Sequence, residues 1–211
     1  MESFIHWLEL CGVGVFAASG ALTASRKQMD IVGFCLIATV TGTGGGTIRD
    51  LLLDRGAVYW VGDPSTIVLC FAIAAVLFFT AHHLESRFQA LLWADAVGLA
   101  LFCVSGAEIS LSAGAPALVA VLMGVMTATF GGILRDVLCA EYPLLLRPEI
   151  YATAAAAGAI TYVALETAEA GRIAQIVGFG VGFGARAFGI VTGFALPTYR
   201  SRPGRDYHPR V

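Results

Sequence analysis

Of the chain's 211 residues, 57% are hydrophobic and only 28 are charged, 13 Lys+Arg and 15 Asp+Glu, about half the roughly 25% share of an ordinary soluble domain. The mean hydropathy of +0.78 belongs to the whole chain, and the formal net charge is −2. These values exclude a soluble metabolic enzyme and a nucleic-acid binder, and they describe an integral membrane protein.

Apolar runs of the ~20 residues needed to cross a bilayer occupy 4–24, 31–48, 65–83, 90–107, 116–134, 149–166 and 173–196, which predicts seven transmembrane helices. The first follows Glu2 rather than a basic leader, so a membrane helix is expected and not a cleaved signal. Ser25-Arg26-Lys27 closes the first span. Gly62-Asp63-Pro64 precedes the third, with Asp63 as the expected N-cap, and Arg147-Pro148 precedes the sixth. Seven crossings put the termini on opposite sides. One side collects nine basic residues (Arg26, Lys27, Arg87, Arg135, Arg147, Arg200, Arg202, Arg205 and Arg210) and the other three (Arg49, Arg55 and Arg172). The positive-inside rule then places the N-terminus outside and the C-terminus in the cytoplasm. Five cysteines without a CxxC pair read as small apolar residues, and His82-His83 read as interfacial.

Sliding the sequence against itself by 86 positions aligns residues 7–21 with 93–107 and 41–52 with 127–138, giving thirteen identities in 27 positions. Each copy holds three spans, and because three is odd the second copy must enter the membrane from the opposite face. The expected fold is therefore an all-α membrane protein: a 3+3 inverted repeat plus a C-terminal seventh helix. Its units are 1–86, 87–170, the seventh helix over 171–198 and a basic tail over 199–211. Folds of this kind place their ion or substrate site where helices of both halves meet.

Gly44-Gly45-Gly46 and Gly131-Gly132 fall late in the second and fifth spans, and each glycine lowers helix propensity by ~1 kcal/mol. A kink or break is expected at both, with Thr41, Thr43, Thr127 and Thr129 one turn earlier, and a break repeated in both halves points to a polar pathway. A leucine at Gly45 or Gly132 is then expected to stop conduction while leaving assembly intact. Arg49-Asp50 and Arg135-Asp136 follow the glycines within a turn. Neighbours along a helix do not face each other, so each Arg is expected to pair elsewhere; it is either a snorkelling anchor or a buried functional charge. Glu9, Gly12, Phe16 and Ser19 make one helical face and Asp95, Gly98, Phe102 and Ser105 its copy, both expected to point inward with their acids at a pore mouth. Arg186 is an intramembrane charge expected to have a buried carboxylate or carbonyl partner. No nucleophile–base set, metal-ligand cluster or phosphate loop is evident, so neither an enzyme nor a resident cofactor is expected.

The strings SGALTASRKQMDIVGF, GGGTIRDLLLDRGAVYWVGDP, ADAVGLALFCVSGAE, FGGILRDVL, RPEIYATAAAAGA and ARAFGIVTGFALP resemble, in order and spacing, the prokaryotic TRIC (trimeric intracellular cation) channels, relatives of which are also labelled glycine-transporter-like. The resemblance covers nearly the whole chain. It implies a homotrimer in the prokaryotic inner membrane, each protomer with its own cation pore lined by the first, second, fourth and fifth helices, the second and fifth kinked at Gly44–Gly46 and Gly131–Gly132. Potassium is the expected permeant ion, with sodium and bound membrane lipid as further candidates, and a secondary transporter of glycine or another small solute is the alternative. Phe130 replaces the glycine expected opposite Gly44 and offers a plug beside the gate charge Arg135. Glu108 stands where family members often carry a lysine.

Overall fold

The computed structural model describes residues 2–84 and 86–197. The basic tail over 199–211 lies outside them. Eight α-helices follow in order: α1 (Glu2–Arg26), α2 (Ile31–Leu52), α3 (Tyr59–Gly62), α4 (Ser65–Thr80), α5 (Arg87–Ser112), α6 (Ala117–Leu138), α7 (Ala152–Glu166) and α8 (Arg172–Thr192). No strand occurs among the described residues. Six segments are long and apolar enough to cross a membrane, those built on α1, α2, α4, α5, α6 and α8. The expected sixth span is the 15-residue α7, about 22 Å at 1.5 Å per residue. Its first turn is not helical, because residues 143–151 form a looped connection after Pro143. The one-turn α3 was not expected.

The polar punctuation of the sequence sets the helix ends. The Asp30 side chain accepts from Gly33 N at 2.7 Å and opens α2, and Ser86 accepts from Gln89 N at 3.3 Å and opens α5. Asp63 accepts from Ser65 N at 3.0 Å ahead of α4, but the N-cap of α4 is Pro64 and not Asp63 as expected. Left-handed residues end the paired helices: Gln28 (φ 54) and Gly114 (φ 82) follow α1 and α5, Asp54 (φ 49) and Ala140 (φ 51) follow α2 and α6. Each pair is separated by 86 residues, so even the unusual backbone conformations repeat. The accompanying bonds Arg55 N to Asp50 O (3.2 Å) and Glu141 N to Asp136 O (2.8 Å) repeat with them and satisfy carbonyls left over at the helix ends.

Shifted by 86, α2 coincides with α6 at both ends. The four helices α1, α2, α5 and α6 pack on one another, α4 lies against α1 and α2, and α7 lies equivalently against α5 and α6. The halves meet reciprocally. A Cβ at Gly45 would meet Thr127 O while one at Gly131 would meet Thr41 O, and Gly12 abuts Phe102 while Gly98 abuts Phe16. The Phe16 and Phe102 rings cross edge-to-face at 5.2 Å between them. Contacts in which i meets j′ and j meets i′ are those of a two-fold axis. Only α8, packed on α5 and α7, has no counterpart.

The chain stays helical through Gly44–Gly46 and Gly131–Gly132, so the expected breaks are absent. The physical reason is the seam itself. With hydrogen atoms in place of Cβ, α2 and α6 approach until each touches the other's backbone carbonyls, and the packing gained offsets the low intrinsic propensity of glycine.

Candidate functional site

Arg49 and Arg135, near the C-terminal ends of α2 and α6, are both fully buried. Arg49 Nη1 donates to Glu9 Oε1 at 2.7 Å, and its Nε and Nη2 donate to Asp50 Oδ1 at 2.9 and 2.8 Å. Asp50 is anchored in turn by Tyr59 N (3.1 Å) and Arg55 Nη1 (3.2 Å). In the second half Arg135 Nη1 donates to Asp95 Oδ1 at 2.7 Å and to Ser19 Oγ, Nε donates to Asp136 Oδ1 at 2.8 Å, and Leu144 N donates to Asp136 Oδ2 at 2.9 Å. Glu9–Arg49 and Asp95–Arg135 are both 40 residues apart. The clusters are therefore copies related by the two-fold axis, one in each half.

The expectation that neighbouring Arg and Asp turn away from each other is corrected here. Both arginines do find a distant acid, but each also curls back to the following aspartate. That carboxylate is held in place by a backbone N–H from the next loop, Tyr59 or Leu144, and the long guanidinium bridges it and the acid on the neighbouring helix. Full burial also removes the snorkelling-anchor reading. Every cluster sets one arginine against two carboxylates, with exposed Arg55 added at the first.

Between the clusters run the threonines. Thr41 donates to Ile37 O at 2.6 Å and Thr127 to Met123 O at 2.7 Å, Thr43 to Thr39 O at 2.8 Å and Thr129 to Val125 O at 2.9 Å. All four hydroxyl protons are thus spent within their own helices, leaving the oxygen lone pairs as acceptors. Gly44 faces Leu134 across the seam at 2.7 Å from a would-be Cβ, while Phe130 is half-buried. Gly46 lies against Tyr59, and Gly132 against the Tyr151 hydroxyl.

The two ends differ in access. Glu9 has 16% of its side chain exposed and lines a small cavity of about 80 Å³ with His6, Tyr59, Asp63 and Thr66. Asp95, by contrast, is fully buried and Tyr151 nearly so. There Asp95 Oδ2, Arg135 Nη2 and the Tyr151 hydroxyl have no hydrogen-bond partner in the protein. Arg186 reaches this end from α8: Nη1 donates to Glu149 Oε2 (2.9 Å) and Ile150 O (3.1 Å), and the guanidinium lies 5.1 Å from the centre of the Tyr151 ring. The carboxylate and carbonyl expected for Arg186 are both present. Ser19 and Ser105 are fully buried, as their inward face required, but only Ser19 meets an arginine, and Ser105 Oγ has no partner.

Tyr59, Tyr151 and Glu149 join the site without having been singled out in the sequence. Neither tyrosine has a tyrosine at the 86-residue offset, where Leu145 and Ser65 stand, so comparison of the repeats passes over both. No group of three or more His, Cys, Asp or Glu that could hold a metal ion occurs among the described residues.

Two antiparallel copies of a three-helix unit, meeting along glycine faces and carrying paired arginine–carboxylate clusters, define an inverted-repeat membrane protein of the kind that moves small solutes or ions across a bilayer. The glycine-transporter family profile matches twice, over residues 6–82 and 92–167, with starts 86 residues apart. The inner membrane protein YadS of Escherichia coli K12 is 44% identical over 161 residues, 75% of this chain and 77% of that protein. A TRIC trimeric intracellular cation channel orthologue from Rhodobacter sphaeroides superimposes with a TM-score of 0.89 at 51% identity, over 91% of this chain and all of that one. A second TRIC cation channel, solved to explain conductance, superimposes with a TM-score of 0.83 at 30% identity, over 94% and 98% of the two chains. The chain belongs to the TRIC family, whose sequence profile carries the glycine-transporter description.

Proposed function

We propose that the protein is a monovalent cation channel, potassium being the main permeant ion and sodium a lesser one. It would assemble as a homotrimer in the inner membrane, each protomer with its own route between α1, α2, α5 and α6. The observation that carries this reading is the charge balance of the two clusters. An unpaired arginine would repel a cation, but each buried arginine shares its site with two carboxylates, Glu9 and Asp50 or Asp95 and Asp136; exposed Arg55 balances the first cluster, and the second keeps one net negative charge. A negative site in low-dielectric surroundings concentrates cations. The acidic cavity at Glu9 is one mouth of the route, and the closed cluster at Asp95 is the end that must open.

In the conducting state α2 and α6 bend at Gly44–Gly46 and Gly131–Gly132. Parting the Gly45–Thr127 and Gly131–Thr41 contacts bares carbonyls and the lone pairs of Thr41, Thr43, Thr127 and Thr129 to the ion. Arg135, with Phe130 on the same helix, acts as the movable gate charge. One charge crossing the full potential is worth ~2.3 kcal/mol per 100 mV, and voltage acting on Arg135 shifts the opening equilibrium. Membrane lipid covers the exposed faces of α4 and α8, whose membrane segments are only 22% and 33% buried.

A secondary transporter of glycine or another small solute is the second reading, favoured by the description of the matching family profile. Purified protein in a planar bilayer under a K⁺/Na⁺ gradient separates the two. Unitary current steps reversing at a cation potential are expected; saturable glycine uptake coupled to an ion gradient, without current steps, would overturn the channel reading.

A further inference from the structure

Away from both arginine clusters, Glu108 near the end of α5 and Gln175 near the start of α8 form a polar tie between α8 and the bundle. Gln175 Nε2 donates to Glu108 Oε1 at 2.6 Å. Both residues are 7% exposed, and the remaining two oxygens of the pair, Glu108 Oε2 and Gln175 Oε1, are buried with no hydrogen-bond partner. Both are acceptors if the carboxyl is ionised. Leaving two buried acceptors unsatisfied is costly in a protein interior. A single proton on Oε2 converts the pair into a cyclic acid–amide dimer in which every polar atom is used: the acid O–H donates to Gln175 Oε1 while the amide N–H donates to Glu108 Oε1.

We propose that Glu108 is a proton-binding site, closing a two-hydrogen-bond pair with Gln175 that ties α8 to α5. The titratable groups that bear on it from the packed elements are Glu166 and Tyr162 of α7 and Glu9 of α1, the last paired with Arg49 at 2.7 Å. Arg172 opens α8 three residues before Gln175. A proton suits the site better than a metal ion or an amine, because Oε2 is closed to solvent and a proton alone needs no added volume. The helix tied down is the one outside the two-fold repeat, and another of its polar anchors, Arg186 to Glu149, lies about three turns further on. The proton site is independent of the channel reading.

Infrared difference spectroscopy on the full-length protein in lipid nanodiscs tests it. Wild type minus Glu108→Gln at neutral pH is expected to show a protonated-carboxyl C=O band that is lost in the variant and titrates away on alkalinisation. Glu108→Gln preserves an amide pair of the same shape. Its melting temperature is expected to match wild type at neutral pH and to stay flat on alkalinisation where wild type declines, because a proton held more tightly in the folded state contributes stability that is lost as pH rises through the folded pKa. Absence of the band overturns the proposal, as does a band that follows K⁺ or Na⁺ concentration at fixed pH. Should Glu108→Gln fail to assemble, Gln175→Met, which removes the amide, is expected to shift the same band to that of an unpaired acid; an unmoved band overturns the proposal equally.

Discussion

At the scale of single residues, the two buried arginines invite a comparison that their pseudo-symmetry makes clean. Removing one partner of a buried pair strands the other charge and costs ~3–5 kcal/mol. Arg135→Gln is expected to approach that range because Asp95 is sealed, whereas Arg49→Gln is expected to cost clearly less because Glu9 is in contact with solvent. Thermal unfolding of the two variants in the same detergent checks the order, and equal losses would contradict it. The glycines divide just as sharply. A methyl at Gly45 or Gly131 collides with a carbonyl of the opposite helix, while one at Gly180 or Gly184 meets nothing within 4 Å. Gly45→Ala and Gly131→Ala are therefore expected to lower melting temperature and yield, and Gly184→Ala to be neutral or stabilising by up to ~1 kcal/mol. A leucine at Gly45 should disrupt folding and conduction together, which corrects the expectation that assembly would survive it. The acids Glu9 and Asp95 were legible in the sequence because they recur on matching helical faces. The curling of each arginine onto its own neighbour was not, since it depends on loop N–H groups from Tyr59 and Leu144 that no local spacing rule encodes.

At the scale of elements, composition and punctuation predicted six spans to within a few residues. The remaining one, the sixth in chain order and here α7, came out short because helix formation waits until after Tyr151, whose side chain is drawn into the Arg186 site. Of the kink or break expected at the glycine runs, a break does not occur for a related reason: propensity is a local quantity, and the carbonyl-to-glycine seam between α2 and α6 is a tertiary one. Connections carry their own electrostatics. Beyond the end of α6, Glu141 accepts from Lys27 at 3.0 Å and lies 3.4 Å from Arg26. The Lys27 hydrogen bond leads the influences that hold its carboxyl below the usual carboxylate range, with both positive charges adding to it. A depressed folded pKa contributes stability that is complete above the ordinary carboxylate value and is lost as pH falls through the folded one. Glu141→Gln is thus expected to flatten the acid limb of the melting-temperature profile and change little at neutral pH. The effect stays below ~1 kcal/mol, because both partners are partly exposed and screened.

At the scale of the whole molecule, the two-fold relation between halves carries the argument furthest. It was visible as a sequence offset, and it returns in helix ends, left-handed caps, ring pairs and ion clusters, all at 86 residues. What the offset leaves undetermined is which way the pseudo-symmetric body faces, because exchanging its halves exchanges its two ends. Only asymmetric features orient it, and the basic residues are the decisive ones: Arg26, Lys27, Arg87 and Arg147 gather where α1 ends and α5 begins, with Arg26 and Arg147 both lying against the Phe88 ring at 5.0 and 5.5 Å. Arg87 binds Ser25 at the same end. By the positive-inside rule such a cluster is expected to be retained in the cytoplasm, which would put the Glu9 cavity outside. With the native cysteines replaced, Ala113→Cys in the α5–α6 turn is expected to react in intact cells with a membrane-impermeant thiol reagent. Leu84→Cys, ahead of α5, is expected to react only after the cells are opened. The reverse pattern would turn the molecule over and make the sealed Asp95–Arg135 cluster, rather than the Glu9 cavity, the face that meets the exterior.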